Sequence, residues 1–225
     1  MIELEEVSFG YDARPTLDGV SLALEPGSFH FLTGPSGAGK TTLLKLLYLE
    51  LAPQDGRLTL FDLEPATMTR DDRLALRRRI GIVFQDFRLL DHLTLSQNVA
   101  LPLIVHGEDA EKHTEDVRDL MRWVGLSHRA AANPRALSAG EQQRAAIARA
   151  VITSPDLIIA DEPTGNVDAE MGMRILKLLV ELNRLGKTVL VATHDLGLIR
   201  SARALVTART LRLAEGRLSV GGSDL

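Results

Sequence analysis

Gly34-Pro-Ser-Gly-Ala-Gly-Lys-Thr-Thr42 decides the reading of this chain. Gly34, Gly39, Lys40 and Thr41 fit the phosphate-loop pattern G-x-x-x-x-G-K-[ST]. The flanks supply the context the pattern requires. Phe29-His-Phe-Leu-Thr33 predicts a short buried strand, and Thr42-Leu-Leu-Lys-Leu-Leu47 opens a helix. In such a strand–loop–helix, consecutive N–H groups point inward at phosphate oxygens, and the helix N-terminus adds its positive dipole end. Glycine lets the backbone come close and take unusual dihedrals. On this reading Gly34, Pro35, Ser36, Gly37, Ala38, Gly39 and Thr42 cradle the phosphates. Lys40 reaches the β- and γ-phosphates, and the Thr41 hydroxyl binds Mg²⁺.

Composition narrows the alternatives. A chain of 225 residues suits one domain or two closely joined lobes. With 26 Lys and Arg against 30 Asp and Glu, the net charge of −4 argues against broad nucleic-acid binding. The chain has no cysteine, which excludes disulfides and thiolate metal sites. The acidic start Met1-Ile-Glu-Leu-Glu-Glu6 lacks the features of a signal peptide, and no apolar run approaches the ~20 residues of a membrane helix. These features predict a soluble cytoplasmic protein that can still sit on a membrane through a partner. The Arg77-Arg-Arg79 run reads as a solvated helix face, with contact to anionic lipid as the alternative.

Strand and helix patterns alternate along the chain. Strands are expected at Ile2–Phe9, Val20–Glu25, Phe29–Thr33, Arg57–Leu63 and Ile80–Phe84, with a helix at Arg70–Arg79. Helical spacing then dominates at Leu95–Val105, Ala110–Val124 and Glu141–Val151. Strand character returns at Leu157–Ala160 and Thr188–Ala192, around a helix at Ala169–Leu185, and Ala204–Val220 closes the chain as short strands. This order implies a largely parallel sheet. The expected division is a single domain, with a nucleotide-binding core over 1–85 and 155–225 and a helical insertion over about 86–154.

Leu157-Ile-Ile-Ala-Asp-Glu162 is an apolar strand ending in two acids. A phosphate-loop enzyme needs such a strand beside the loop. Asp161 would hold Mg²⁺ through water. Glu162 follows where a general base could polarise an attacking water.

Leu137-Ser-Ala-Gly-Glu-Gln-Gln-Arg144 resembles the signature sequence of ATP-binding cassette (ABC) proteins, and the resemblance covers essentially the whole chain. It implies an α/β P-loop NTPase of ABC ATPase fold: a RecA-like core, an antiparallel β subdomain and an inserted helical subdomain. Ser138, Ala139, Gly140 and Glu141 would hold the γ-phosphate of ATP bound on a second copy, and the same stretch reads as a Ser-capped helix with Glu141 at its third position. Tyr11 matches the aromatic that stacks on adenine. Gln85 matches the glutamine that contacts Mg²⁺ and water. Gly165-Asn-Val-Asp168 matches the loop across the dimer interface, and His194 the histidine that senses the γ-phosphate. Ala139 departs from the family's usual first glycine, and the chain is expected to work with it.

The resemblance further implies a head-to-tail homodimer with two Mg-ATP buried between the copies, and an integral membrane partner at the cytoplasmic face of the bacterial inner membrane. A short helix of that partner would dock on Phe87, Leu89, Leu90 and nearby residues to Leu103, which read equally well as core. Within the family, Phe84-Gln-Asp-Phe-Arg-Leu-Leu90 and Ala192-Thr-His-Asp195 lean toward the cell-division branch. Asp161-Glu-Pro-Thr-Gly-Asn166 is shared with lipoprotein-release and macrolide-export ATPases. Soluble DNA-repair ATPases of related fold carry long coiled coils between loop and signature, for which the segment Lys40–Leu137 is too short.

Overall fold

The computed structural model describes residues 1–12 and 14–220. Strand β1 (Ile2–Phe9) pairs antiparallel with β2 (Leu17–Leu24) and β4 (Asp55–Leu60), giving a three-stranded sheet in the order β2-β1-β4. A six-stranded sheet contains β3 (Phe29–Thr33), β5 (Ile80–Val83), β6 (Leu157–Asp161), β7 (Thr188–Ala192), β8 (Ala208–Ala214) and β9 (Arg217–Val220). Its order is β5-β6-β7-β3-β8-β9, and all neighbours are parallel except β8 and β9.

The central strands are mostly apolar because both faces are covered. Successive side chains alternate between two cores. Phe29, Phe31, Ile158, Ala160, Val189 and Val191 enter one core, shared with the long helices. Leu32, Leu157, Ile159, Leu190 and Ala192 enter the other, shared with the antiparallel sheet and helix α1 (Lys40–Leu47). The remaining helices are α2 (Arg70–Arg77), α3 (Leu95–Val105), α4 (Thr114–Trp123), α5 (Ala139–Val151), α6 (Ala169–Arg184) and α7 (Leu196–Ala202).

Several boundaries differ from expectation for local reasons. The strand expected to reach Leu63 stops at Leu60, because Phe61 and Asp62 turn the chain with φ of 53° and 65°. Helix α2 stops at Arg77 rather than Arg79. The helix expected from Ala110 begins as a 3₁₀ turn over Ala110–His113, which Asp109 caps through Glu111 N–H. Helix α7 was not expected; Asp195 caps it by accepting from Leu198 N–H at 3.0 Å. The expected core range extends to residue 225, and its last five residues lie outside the described residues. Among the described residues no helix is long and apolar enough to cross a membrane.

Candidate nucleotide site

The phosphate loop leaves β3 at Gly34 and enters α1 at Lys40. Gly34 has φ 152°, and a Cβ there would stand 2.1 Å from the Leu213 carbonyl oxygen on β8, so no side chain fits. Gly39 caps α1 in the left-handed region, φ 100°, with no side chain satisfying the helix's first N–H groups. Uncapped N–H groups at a helix start suit an anionic phosphate. Lys40 Nζ folds over the loop and donates to the carbonyls of Gly34 at 2.9 Å and Pro35 at 3.1 Å. Gly37 keeps a φ of 77° with open space around it, Ala38 and Thr42 are buried, and Pro35 and Ser36 lie at the surface.

Strand β6 does not lie beside β3: β7 stands between them. The loop-following helix α1 crosses onto β6 instead. That crossing brings the Thr41 hydroxyl to Asp161, Oγ1 donating to Oδ2 at 3.2 Å. Burial raises the Asp161 carboxyl above its usual range, partly offset by the Thr41 hydrogen bond. A hydroxyl and a desolvated carboxylate are hard oxygens, a donor pair that suits Mg²⁺ completed by phosphate and water.

Glu162 sits one residue beyond β6 with φ 44°, its N–H tied to the Ala192 carbonyl at 2.8 Å. Its carboxylate is 12 % exposed and pairs with His194, Oε1 to Nδ1 at 2.8 Å, while His194 itself is 73 % exposed. Both line an open cleft with Thr164, Gly165, Asp195 and Leu196. Gln85 lies two residues past β5 rather than at its end. Asn166 donates to the Gln85 carbonyl at 3.0 Å and so ties the two loops together. Tyr11 is 59 % exposed and makes an edge contact with Phe9, ring centroids 5.1 Å apart.

Ser138 caps α5 in a reciprocal box with Glu141. Ala139 is the first helical residue, without positive φ, so alanine meets no backbone penalty there. Gly140 is the sterically restricted position, because a Cβ would come within 2.8 Å of Met171 Cγ on α6. Asp168 caps α6 by accepting from Met171 N–H at 2.8 Å. Ser138 and Asp168 are not placed against this chain's own loop contacts; each makes its bonds within its own helix start.

Of the expected docking residues, Leu90 is exposed, and Phe87 and Leu89 are half-buried against the helical core. Leu95 and Val99 are buried in that core and Leu103 is buried as well, which takes these three α3 residues out of the expected surface. Sequence reasoning missed Arg149 on α5. Its guanidinium donates to the carbonyls of Phe87 and Arg88, two consecutive residues at φ 59° and 48°. A single arginine in the alanine-rich run Ala145-Ala-Ile-Ala-Arg-Ala150 was the available signal.

A glycine loop against a helix start, a hydroxyl–carboxylate pair and an adjoining Glu–His pair describe a nucleotide-hydrolysing site. The ABC transporter family model matches residues 17–165, and the chain belongs to that family. The cell-division ATP-binding protein FtsE of Escherichia coli K12 is 44 % identical over 98 % of both chains. FtsE of Bacillus subtilis is 41 % identical over 92 % of both, and FtsE of Mycobacterium tuberculosis is 42 % identical over 97 % of this chain and 94 % of its own. Among solved structures, the dimeric ATP-binding cassette MJ0796 in a post-hydrolysis state with ADP and Pi has a TM-score of 0.86. It is 34 % identical, over 97 % of each chain. The activity of this chain is that of its family, hydrolysis of ATP to ADP and phosphate.

Proposed function

We propose that the chain is the ATPase subunit of a membrane complex of the cell-division type, with FtsX as its integral membrane partner. The complex would control septal peptidoglycan hydrolysis from the cytoplasmic face of the bacterial inner membrane. The FtsE relatives, each matching more than nine-tenths of the chain, support the division branch. The Glu162–His194 pair beside the Thr41–Asp161 contact carries the catalytic reading.

Two copies meet head to tail, each phosphate loop facing the other's signature. Thr41, Asp161 and Gln85 would hold Mg²⁺, which supplies electrostatic stabilisation of phosphate charge. Lys40 leaves the Gly34 and Pro35 carbonyls to reach the β- and γ-phosphates. Tyr11 stacks on adenine, and Ser138 with the α5 N–H groups of Ala139, Gly140 and Glu141 meets the other copy's γ-phosphate. Glu162 takes a proton from the attacking water, and His194, hydrogen-bonded to it, orients that carboxylate and the γ-phosphate. Asp168 fixes the loop that crosses the interface by capping α6.

Glu162→Gln, which keeps the shape and removes the base, should abolish hydrolysis and trap an ATP-bound dimer. Used as bait in native membranes with Mg-ATP, it should recover a small membrane protein with a large extracytoplasmic loop, together with division factors. Leu89→Asp added to the bait should lose that partner while ATP binding persists. Recovery of lipoprotein-release or efflux subunits would move the function to transport.

A further inference from the structure

The Ser138 hydroxyl has one proton, and it is already engaged. Ser138 Oγ accepts from Glu141 N–H at 3.3 Å and donates to Glu141 Oε2 at 3.0 Å. Ser138 N–H donates to the same carboxylate oxygen at 2.9 Å. In the dimer proposed above, that hydroxyl must donate to a phosphate on the other copy. A phosphate oxygen accepting at about 2.7 Å would then stand within about 6 Å of Glu141 Oε2. Glu141 opposes this in two ways. It competes for the only proton, and it places a like charge near the phosphate on a side chain that is only 16 % exposed.

The other oxygen of Glu141, Oε1, accepts from Arg129 Nε at 3.1 Å. Arg129 ends the 3₁₀ turn Ser127–Arg129 between α4 and α5, and among the described residues its ion pair is with Glu141. The other cation near Glu141 is Arg144, whose guanidinium is committed to the Val124 carbonyl at 2.9 Å and Met171 Sδ at 2.8 Å. We propose that Arg129 is a positioning residue for the signature: it draws the Glu141 charge toward Oε1, so that Oε2 releases the Ser138 proton to the other copy's γ-phosphate. The inference rests on the dimer reading of Ser138. Arg129 need not touch the nucleotide to act.

The test uses the full chain in the Glu162→Gln background. The Mg-ATP concentration for half-maximal dimer formation is followed by light scattering, and nucleotide binding to the dilute monomer by mant-ATP fluorescence. Arg129→Gln should raise the half-point about fivefold, the size of one modest charge interaction. Arg129→Lys should restore most of it. Arg129→Gln combined with Glu141→Gln should return to the parent value, because a glutamine keeps the residue 141 N–H that faces the phosphate and still completes the capping box but carries no charge. Mant-ATP affinity should stay level throughout. Unchanged dimerisation of Arg129→Gln, or a double variant as weak as the single one, overturns the proposal. If Arg129→Gln melts early, Glu141→Gln alone decides, since it must dimerise at no higher ATP than the parent. Ser138→Ala separates the two layers. If it blocks dimerisation while Arg129→Gln is silent, only the Arg129 assignment fails; if it too is silent, the dimer reading of the signature fails.

Discussion

Two small residues show how local geometry decides what a motif tolerates. At Gly34 any Cβ meets the Leu213 carbonyl oxygen at 2.1 Å, a backbone atom that cannot step aside. Gly34→Ala should cost about 3 kcal/mol or more, or prevent folding, as read by urea denaturation. At Ala139 the opposite holds. The residue begins α5 without positive φ, so alanine in place of the family's glycine carries no backbone strain. Ala139→Gly should leave ATPase activity within about twofold and lower stability by no more than about 1 kcal/mol, the penalty for glycine in a helix. The motif letters Gly34, Lys40, Thr41, Asp161 and Glu162 were legible because their spacing is unusual and each has one chemical use. That Gly140 lies tight against another side chain was not legible, since Met171, the residue it faces, arrives from another helix.

At the level of elements, the strands were readable from apolar runs and the longer helices from 3.6-residue spacing, whereas the short α7 was not. Neighbour order was not. Nothing in Leu157-Ile-Ile-Ala160 says that β7 would stand between β6 and β3. The contact between Thr41 and Asp161 depends on α1 crossing that gap. The apolar stretch after Gln85 was ambiguous for a physical reason: Leu90 is exposed and Leu103 buried, yet both are leucine in an apolar neighbourhood. Arg149 joins two elements that sequence spacing keeps apart. Burial lowers its pKa, and its guanidinium satisfies the carbonyls of Phe87 and Arg88. Removing it strands two acceptors beside two residues in left-handed backbone. Arg149→Ala should destabilise the chain by about 2 kcal/mol and speed hydrogen exchange in the segment around residues 86–90. Exchange unchanged there would show that the loop holds its shape without the arginine.

For the whole molecule, the two cores on either side of the parallel sheet set how stability responds to acid. His30 points into the core shared with the antiparallel sheet. It is 2 % exposed, with Nε2 at 2.9 Å from the Ser28 hydroxyl and Nδ1 unpartnered. Burial, with Arg209 nearby as a smaller cause, lowers its pKa from 6.5 to about 4. The folded state therefore binds its proton less readily than the unfolded chain does. Its contribution is fully present above pH 6.5 and is lost as pH falls from 6.5 toward 4, by up to roughly 3 kcal/mol. His30→Phe should flatten that part of the unfolding free energy measured against pH, whatever it does to stability at neutrality. A slope unchanged in the variant would assign the acid response to other groups.

The phosphate loop grows out of β3, and β3 is completed on one side by β8 at Ala208–Arg212. Thr33 Oγ1 donates to the Leu211 carbonyl at 3.1 Å, and Gly34 rests on Leu213. The ribosome thus makes the nucleotide-binding motif well before its supporting strand. Until β8 emerges, a growing chain carries the motif without the neighbour that shapes it. Such late closure delays folding behind translation.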